Sequence, residues 1–352
     1  MSAASPLSGV RAMVLAAGAG TRLRPLTHAI PKPMVPVAGT PVLHHCLENL
    51  ARHGVKNVML NLWAFPEQVI RSCGDGSRWG LTLSYSIERT LLGTAGAVKK
   101  CEAFFKGGPV LLLSGDGMSD VDLTAFAAFH QRRGSFGTMV VKRIEARYPY
   151  GVALTSRNGR IRGFLEKPSF GDFFSNQVNT GIYLFQPEVF RHIPKGFYDF
   201  GSQLWPKLLA KGALLHAWEW SGYWCDVGDL EEYRRSQLAA LRQDVRCSLQ
   251  GRKIRKGVWI GTNAQIGRRV KIEAPCLVGA GARIADGAVL GPETVIGAGA
   301  RVGTRSVLKK CILFDNTVVG AGAHLVNCII GEGGVVKAGA VSYNATVLKF
   351  RQ

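Results

Sequence analysis

Aliphatic residues recur at every sixth position in the last third of the chain, from Ile254 through Ile260 to Leu308. After one-residue contractions the same spacing resumes at Leu313 and again at Ile330. A period of six fits neither a helix nor an ordinary strand. It is typical of a parallel β-helix, in which three hexads form one triangular coil and the aliphatic side chains point inward. The pattern therefore predicts a β-helix of about five coils from Ile254 onward.

The part of the chain before this repeat has a different pattern, in which apolar runs alternate with helix-like segments. This alternation predicts a three-layer, Rossmann-like α/β domain with a mostly parallel sheet, whose ligands bind at the carboxyl ends of the strands. We therefore predict two domains, residues 1–246 and 251–352. The predicted strands are 12–17, 57–62, 81–87, 110–113, 137–141 and 181–185, and the predicted helices are 42–52, 95–105, 123–133 and 230–242.

A glycine-rich loop, LAAGAGTRLRPLT, directly follows the first predicted strand, and the segment PKPM comes soon after it. Gly18 and Gly20 would let backbone N–H groups approach a polyphosphate closely, while Arg22 and Lys32 would add positive charge. The spacing matches neither the dinucleotide-binding GxGxxG pattern nor a Walker loop. We interpret the segment as a phosphate-binding loop of another kind.

Two aspartates offer carboxylates from distant parts of the sequence. Asp116 follows the apolar run VLLLS, and Asp226 lies in the segment WCDVGD. Mg²⁺ prefers oxygen ligands and keeps several waters and phosphate oxygens in its coordination shell. Two carboxylates brought together would suit a Mg²⁺ ion bound with a nucleotide.

Further motifs follow the glycine-rich loop in a fixed order, and we expect each to lie at or just after the carboxyl end of a strand. With the loop, they resemble the signature of the sugar-1-phosphate nucleotidylyltransferases, which make an NDP-sugar and pyrophosphate from an NTP and a sugar 1-phosphate. The resemblance covers nearly the whole chain and implies that the β-helix is left-handed. The motifs are LLGTAGAV (91–98), SGD (114–116), YGVA (150–153), FLEKP (164–168), NTGIY (179–183) and WCDVGD (224–229).

The resemblance implies a role for individual residues. Arg22, Lys32, Asp116 and Asp226 match the catalytic positions, and the two aspartates match the Mg²⁺ ligands. The sugar 1-phosphate would be bound by Gly151, Glu166, Lys167 and Asn179. The nucleotide would be bound by Leu15, Ala17, Gly18, Gly20, Thr21, Arg22, Glu88, Gly93, Thr94 and Gly96.

The segment from Gly93 to Gly96, which reads GTAG, narrows the choice of substrate. It is more similar to the mannose-1-phosphate guanylyltransferases than to the GLAQA pattern of short thymidylyltransferases or the GTADA pattern of adenylyltransferases. We expect it to lie beside the nucleobase, with glycines that let backbone atoms read the edge of the base. The resemblance favours GTP and mannose 1-phosphate as substrates. A glucose-1-phosphate or heptose-1-phosphate nucleotidylyltransferase remains the alternative.

Composition excludes some classes of function. The formal net charge is +20, and half of it lies in residues 247–352. The basic residues are scattered without interleaved aromatic residues, so we expect no nucleic-acid partner. No apolar run is long enough to cross a bilayer and no signal peptide is evident, so we expect a cytoplasmic protein without a membrane partner. The eight cysteines form no CxxC pair, which favours reduced thiols.

Two readings from other classes remain open. Hexapeptide β-helices also serve as acyltransferases, but such sites usually need a histidine base, and the repeat offers only His324. The chain could also be a non-catalytic regulatory subunit, although Arg22, Lys32 and the two aspartates are all present. We expect the β-helix to assemble a homo-oligomer rather than to carry chemistry.

Overall fold

The structure is a computed structural model that describes residues 6–145, 150–169 and 175–348. The chain forms two compact units. The first consists of residues 1–19, 31–33 and 43–226, and the second of residues 20–30, 34–42 and 227–352. No helix in the described ranges is long and apolar enough to span a membrane.

The elements that precede residue 243 alternate between strands and helices. The strands are β1 (Arg11–Leu15), β2 (Pro36–Val37), β3 (Thr40–Pro41), β4 (Asn57–Leu62), β5 (Thr82–Ile87), β6 (Val110–Ser114), β7 (Gly117–Ser119), β8 (Gly137–Arg143), β9 (Val152–Thr155), β10 (Ile161–Leu165), β11 (Gln177–Phe185), β12 (Leu215–Glu219) and β13 (Trp224–Asp226). The α-helices are α1 (Val42–Arg52), α2 (Pro66–Cys73), α3 (Gly93–Lys100), α4 (Glu102–Phe105), α5 (Leu123–Arg132), α6 (Trp205–Ala210) and α7 (Leu230–Arg242).

The first unit is built on one large sheet with the strand order β10-β9-β11-β6-β1-β4-β5, and β8 joins β11 to β12. The strands from β6 to β5 pair in parallel, with Ala12 in register with Leu111 on one side and Val58 on the other. Strands buried on both faces read as continuous apolar runs. The run Val110–Leu113 fits this rule, because its side chains are at most 3% exposed.

The predicted strand 57–62 and the predicted helices 42–52 and 230–242 are confirmed to the residue. The single helix predicted over 95–105 is wrong, because it divides into α3 and α4 at Cys101, whose backbone leaves the helical conformation. The sequence has no glycine or proline at this break, so the end of α3 could not be predicted from residue types.

Two motifs do not lie at the carboxyl end of a strand, contrary to our expectation. YGVA leads into β9, and NTGIY lies inside β11. Strand β11 runs antiparallel to β6. In an antiparallel pair the amino-terminal half of one strand lies beside the carboxyl end of the other. NTGIY therefore reaches the same edge of the sheet from the opposite direction, and YGVA lies beside it because Val152 of β9 pairs with Val178 of β11.

The second unit contains the predicted parallel β-helix, in which three sheets carry successive coils. Sheet 1 has the order β14-β15-β18-β21-β24-β27-β30, sheet 2 the order β16-β19-β22-β25-β28 and sheet 3 the order β17-β20-β23-β26-β29. The strands are β14 (Arg252–Arg255), β15 (Val258–Ile260), β16 (Gln265–Ile266), β17 (Lys271–Ile272), β18 (Cys276–Val278), β19 (Arg283–Ile284), β20 (Val289–Leu290), β21 (Thr294–Ile296), β22 (Arg301–Val302), β23 (Val307–Lys309), β24 (Ile312–Leu313), β25 (Val318–Val319), β26 (His324–Val326), β27 (Ile329–Ile330), β28 (Val335–Val336), β29 (Val341–Tyr343) and β30 (Thr346–Val347).

The inward-facing positions of the central coils follow the six-residue period. Ile284, Leu290 and Ile296 are at most 2% exposed and belong to one continuous core. The expectation fails at the first position, because Ile254 is 51% exposed and lies on β14, which pairs antiparallel with β15. Ile266 is 37% exposed. It belongs to the first coil, which has no preceding coil to cover it.

The outer face of sheet 1 is also buried, which the hexad pattern did not predict. Along five of its seven strands, from β15 to β27, one row of residues in register is at most 5% exposed, and these residues are Trp259, Leu277, Val295, Ile312 and Ile329. Helix α7 lies against this side of the β-helix, where Arg234 donates to the carbonyl oxygens of Lys310 and Asn327. Its Tyr233 hydroxyl donates to the carbonyl oxygen of Pro36 in the β2–β3 hairpin at 2.8 Å.

Neighbouring residues on β19 allow a test of the inward and outward assignment. Ile284 is 2% exposed, so Ile284→Ala should lower the free energy of unfolding by about 2–5 kcal/mol through lost burial and a new cavity. Arg283 is exposed and faces Arg301 of the next coil. Arg283→Ala should therefore change stability by less than about 0.5 kcal/mol. Urea unfolding followed by circular dichroism would measure both, and equal effects would contradict the assignment.

Candidate active site

Asp116 is held at the carboxyl end of β6 by the close pairing of that strand with β1. Leu15 and Ser114 are in register at the ends of the two strands, and the Gly115 amide donates to the Leu15 carbonyl oxygen at 2.9 Å. The chain then turns into β7, so the Asp116 carboxylate lies at the sheet edge where the loop after β1 also begins.

Asp226 reaches the same place from the other end of the first unit. Strand β13 pairs antiparallel with β7, and this register places Asp226 opposite Gly117. Met118, the next residue of β7, is fully buried. The two-stranded ladder thus brings together two carboxylates that are 110 positions apart in the sequence. The sequence motifs indicated both aspartates but not the strand pairing that joins them.

Lys32 joins the two aspartates. It begins the 3₁₀-helix Lys32–Met34 and is only 7% exposed. Its Nζ atom lies 2.5 Å from Oδ2 of Asp116 and 2.9 Å from Oδ1 of Asp226. The second oxygen of Asp116, Oδ1, accepts a hydrogen bond of 2.6 Å from the Ser114 hydroxyl. A buried ammonium therefore sits where two carboxylates converge.

The electrostatics favour the charged forms of Lys32 and Asp116. Burial alone would lower the pKa of Lys32, but the charges and hydrogen bonds of the two carboxylates outweigh it and raise that pKa above its usual value. Burial works in the same way against ionised Asp116, yet the ammonium and the Ser114 hydroxyl lower its pKa. Opposite charges and hydrogen bonds to the charged form are the cause of both shifts.

The donor set suits a hard divalent cation. In the described part of the chain, no three His, Cys, Asp or Glu side chains cluster to form a complete metal site. Asp116 and Asp226 supply two carboxylates and no nitrogen or sulfur donor. A cation with oxygen preference, such as Mg²⁺, would keep its remaining positions for water and phosphate oxygens. The residues therefore fit a metal that binds together with a phosphorylated ligand.

A buried hydrogen-bond relay stands behind the glycine-rich loop. The Asn61 side chain accepts from the Ala16 amide at 3.0 Å and donates to Oε1 of Glu88 at 2.7 Å. The other Glu88 oxygen accepts from the Leu92 amide at 3.0 Å. Glu88, predicted as a nucleotide contact, thus links the start of the loop to the LGTAG segment. No sequence motif indicated Asn61, although it lies in a predicted strand as a polar residue among apolar ones.

The LGTAG segment is packed against the segment Gly196–Phe200. The amides of Ala95 and Gly96 donate to the Tyr198 carbonyl oxygen at 2.9 and 2.8 Å. A Cβ atom on Gly96 would overlap the carbonyl oxygen of Gly196. Close packing with another segment therefore accounts for this glycine, independently of any contact with a base.

Thr94 is fixed by the same segment. Its hydroxyl donates to the Asp199 carboxylate at 2.7 Å and accepts from the Phe200 amide at 2.9 Å. Burial would raise the pKa of Asp199, but the hydrogen bonds from Ser202 and Thr94 lower it overall. Asp199 lies outside every motif of the sequence, so its role could not be predicted from the sequence.

The residues assigned to the sugar phosphate form a second cluster. Glu166 follows β10, and its carboxylate lies against Gly151 and Gly201. A Cβ atom added to Gly151 would lie 2.7 Å from Oε2 of Glu166, and one added to Gly201 would overlap this oxygen. Burial raises the pKa of Glu166. The backbone N–H of Asn179 donates to the Gly151 carbonyl oxygen at 2.8 Å. Lys167 is exposed and its Nζ lies 3.9 Å from Oε1 of Glu166.

The Asn179 side chain is fixed from both ends. Its Nδ2 donates to the Tyr183 hydroxyl at 2.7 Å, and its Oδ1 accepts from the Gly181 amide at 2.9 Å. These bonds span the irregular part of β11, where the pairing with β8 shifts register between Asn179 and Tyr183. The strand therefore turns Asn179 toward the sheet edge that carries Gly151.

The remaining predicted residues lie on the glycine-rich loop. Leu15 ends β1, Ala17 is buried and Gly18 is exposed in the first unit. Thr21 and Arg22 belong to the second unit and are exposed on the 3₁₀-helix Thr21–Leu23, which Gly20 precedes in a left-handed conformation.

Comparison with known proteins identifies relatives over nearly the whole chain. The Nucleotidyl transferase family matches residues 11–243, and the GMPPB C-terminal domain matches residues 272–349. A UTP–glucose-1-phosphate uridylyltransferase of Synechocystis is 36% identical over 94% of this chain and 90% of its own length. The mannose-1-phosphate guanylyltransferase catalytic subunit beta of Drosophila melanogaster is 34% identical over 76% of this chain and 72% of its own length.

Two further relatives extend this picture. A mannose-1-phosphate guanylyltransferase of Mycobacterium tuberculosis is 34% identical over 66% of this chain and 65% of its own length. A crystal structure of a putative glucose-1-phosphate thymidylyltransferase from Bacillus anthracis, in complex with a sucrose, superposes with a TM-score of 0.61. It is 24% identical and covers 68% of this chain and 97% of its own, which establishes a shared fold.

Proposed function

Because the chain belongs to the nucleotidyl transferase family, we propose that it makes GDP-mannose and pyrophosphate from GTP and mannose 1-phosphate. The chain is a sugar-1-phosphate nucleotidyltransferase. The relatives that are named mannose-1-phosphate guanylyltransferase, each 34% identical to this chain, support the choice of substrates. A second candidate, transfer of a uridylyl group to glucose 1-phosphate, is favoured by the uridylyltransferase that matches along 94% of the chain.

The observation that carries this proposal is the convergence of Lys32, Asp116 and Asp226. Nucleotidyl transfer brings two polyanions together, so the protein must offset their repulsion and align a sugar-phosphate oxygen with the α-phosphorus. Lys32 keeps a positive charge at the sheet edge, because its raised pKa holds the ammonium protonated. Asp116 and Asp226 would hold Mg²⁺, which when bound neutralises charge on the phosphate oxygens.

The other residues bind and orient the substrates in this proposal. The backbone of the glycine-rich loop and Arg22 hold the triphosphate. Lys167 binds the phosphate of the sugar 1-phosphate, since its ammonium is exposed at the end of β10. The Glu166 carboxylate accepts hydrogen bonds from sugar hydroxyls, and the Asn179 side chain donates to them or accepts from them. The attacking phosphate oxygen is already anionic, so no side chain has to remove a proton from it.

Pyrophosphate release over a grid of substrates tests the function. The grid combines GTP, UTP, ATP and dTTP with mannose, glucose and heptose 1-phosphates, and we expect the highest kcat/KM with GTP and mannose 1-phosphate. Asp116→Asn and Asp226→Asn should each lower kcat roughly 10²-fold or more. Asp75→Asn, which alters an exposed aspartate, should leave kcat unchanged. Release from no pair would favour a regulatory subunit, and near-normal rates in both variants would refute the metal ligands.

Gly201→Ala tests the sugar pocket separately. The added Cβ would overlap the Glu166 carboxylate and push it from its position. The KM for the sugar 1-phosphate should rise about 10-fold or more, while the KM for the nucleotide stays near the wild-type value. Gly108→Ala is the matched control, because its nearest neighbour would lie at an acceptable 3.4 Å. An equal rise in both KM values would indicate general distortion instead.

We also propose that the catalytic chemistry lies in residues 1–246 and that residues 251–352 assemble a homo-oligomer. The last coil supports this view, because Val341 and Tyr343 on sheet 3 are 64% and 59% exposed and Val335 on sheet 2 is 62% exposed. Exposed apolar residues that lie together on a surface commonly mark a protein contact. His324 is also exposed on sheet 3, with its ring 6.2 Å from that of Tyr343.

Light-scattering mass measurements test the assembly. The double variant Val335→Glu/Val341→Glu should have a lower mass than the wild type, because burying two carboxylates in a contact is costly. The order of preference among the substrates should stay the same. Lys337→Glu alters an exposed residue of the same coil and should keep the wild-type mass. A mass that stays unchanged in the double variant would remove this coil from the interface.

A further inference from the structure

The ammonium group of Lys32 fills the space that a divalent cation would need. Its contacts with Asp116 at 2.5 Å and Asp226 at 2.9 Å place a positive charge between the same two carboxylates that suit Mg²⁺. Mg²⁺ binds oxygen at 2.0–2.1 Å and demands a nearly ideal octahedral arrangement of its ligands. A metal ion and the ammonium cannot both occupy the space between these two oxygens.

The charges also make the two cations compete. Two carboxylates attract one divalent cation strongly, but Lys32 already neutralises half of their charge. The ammonium is well held, because it is buried and donates to both partners. Removing it would leave two carboxylates close together without compensation, which is unfavourable for buried charges. A metal therefore binds the substrate-free protein only by displacing this lysine.

We propose that Lys32 occupies the cation position in the substrate-free enzyme, and that a metal ion binds there only after a triphosphate has drawn the ammonium away. The inference rests on the proposed function, because it takes the two aspartates as the metal ligands and a nucleoside triphosphate as the substrate. The lysine side chain is a mobile point charge on a flexible stem, and it can exchange a carboxylate partner for a phosphate partner.

The exchange couples the two ligands. If the triphosphate releases the carboxylates from Lys32, it raises their affinity for the metal, and by linkage the metal raises the affinity for the triphosphate equally. The enzyme then holds no metal without a nucleotide. Lys32 has two functions in this scheme: it excludes the metal from the empty site, and it neutralises phosphate charge in the filled one.

Manganese binding without any nucleotide tests the inference. The electron paramagnetic resonance signal of free Mn²⁺ gives its affinity for the full-length protein. We expect weak binding by the wild type and at least about 10-fold tighter binding by Lys32→Met, which keeps most of the length of the side chain but not its charge. Lys99→Ala is the control, because its ammonium also has two partners, the Phe190 carbonyl oxygen at 2.8 Å and Glu102 at 2.7 Å. It should bind Mn²⁺ as the wild type does.

A double variant shows where the ion binds. Lys32→Met/Asp116→Asn should lose the tighter binding that Lys32→Met gains. The inference is overturned if Lys32→Met binds no more tightly than the wild type, or if the double variant keeps the gain. Both results are independent of turnover. A failure of the proposed function would instead appear as absent pyrophosphate release over the substrate grid.

The wild-type protein supplies a test that needs no variant. Water proton relaxation distinguishes Mn²⁺ on the slowly tumbling protein from Mn²⁺ on free nucleotide. With GTP or UTP present and sugar 1-phosphate absent, no transfer can occur, and we expect enhanced relaxation that Mn²⁺ and protein alone do not give. Equal enhancement without nucleotide would show that Lys32 does not exclude the metal.

Discussion

The ion cluster of Lys32, Asp116 and Asp226 is the interaction on which the candidate site depends. It joins a 3₁₀-helix, the end of β6 and the short strand β13, which are far apart in the sequence. Replacing a buried ion pair by apolar groups can be neutral, but removing a single partner typically costs about 3–5 kcal/mol. The three residues are therefore constrained together, and the register of β7 with β13 keeps Asp226 beside Asp116.

Around this cluster the site is held by hydrogen bonds between its own residues. Asn61 and Glu88 link the strand that precedes the glycine-rich loop to the LGTAG segment. Thr94 and Asp199 link that segment to the π-helix Phe200–Leu204, whose Gly201 lies against the Glu166 carboxylate. Groups held in this way by supporting hydrogen bonds are pre-organised, which is what alignment of two phosphorylated ligands requires.

The sequence predicted the structure where a residue type recurs at a fixed spacing. It did not predict the positions of residues that are set by contacts with distant parts of the chain. The six-residue period predicted the β-helix, because each coil buries an aliphatic residue at the same position. The six-residue period failed at Ile254, because this residue lies on β14, which pairs antiparallel with β15 and is not part of a coil. The motifs identified both aspartates, but nothing local indicated that Lys32 lies between them. Asp199 and Gly201 were missed for the same reason, since their role arises from contacts with residues 105 and 35 positions away.

The positions of the basic residues bear on the large net charge. In the candidate site the buried cation Lys32 is matched by two carboxylates, so it adds no net positive charge there. On the β-helix, by contrast, Arg283 and Arg301 are exposed and directly opposed in adjacent coils. Like charges directly opposite each other weaken a sheet slightly. This cost is tolerated because the stability of the coils comes from their aliphatic interior. The net charge of +20 is therefore largely a property of the surface rather than of the chemistry at the sheet edge.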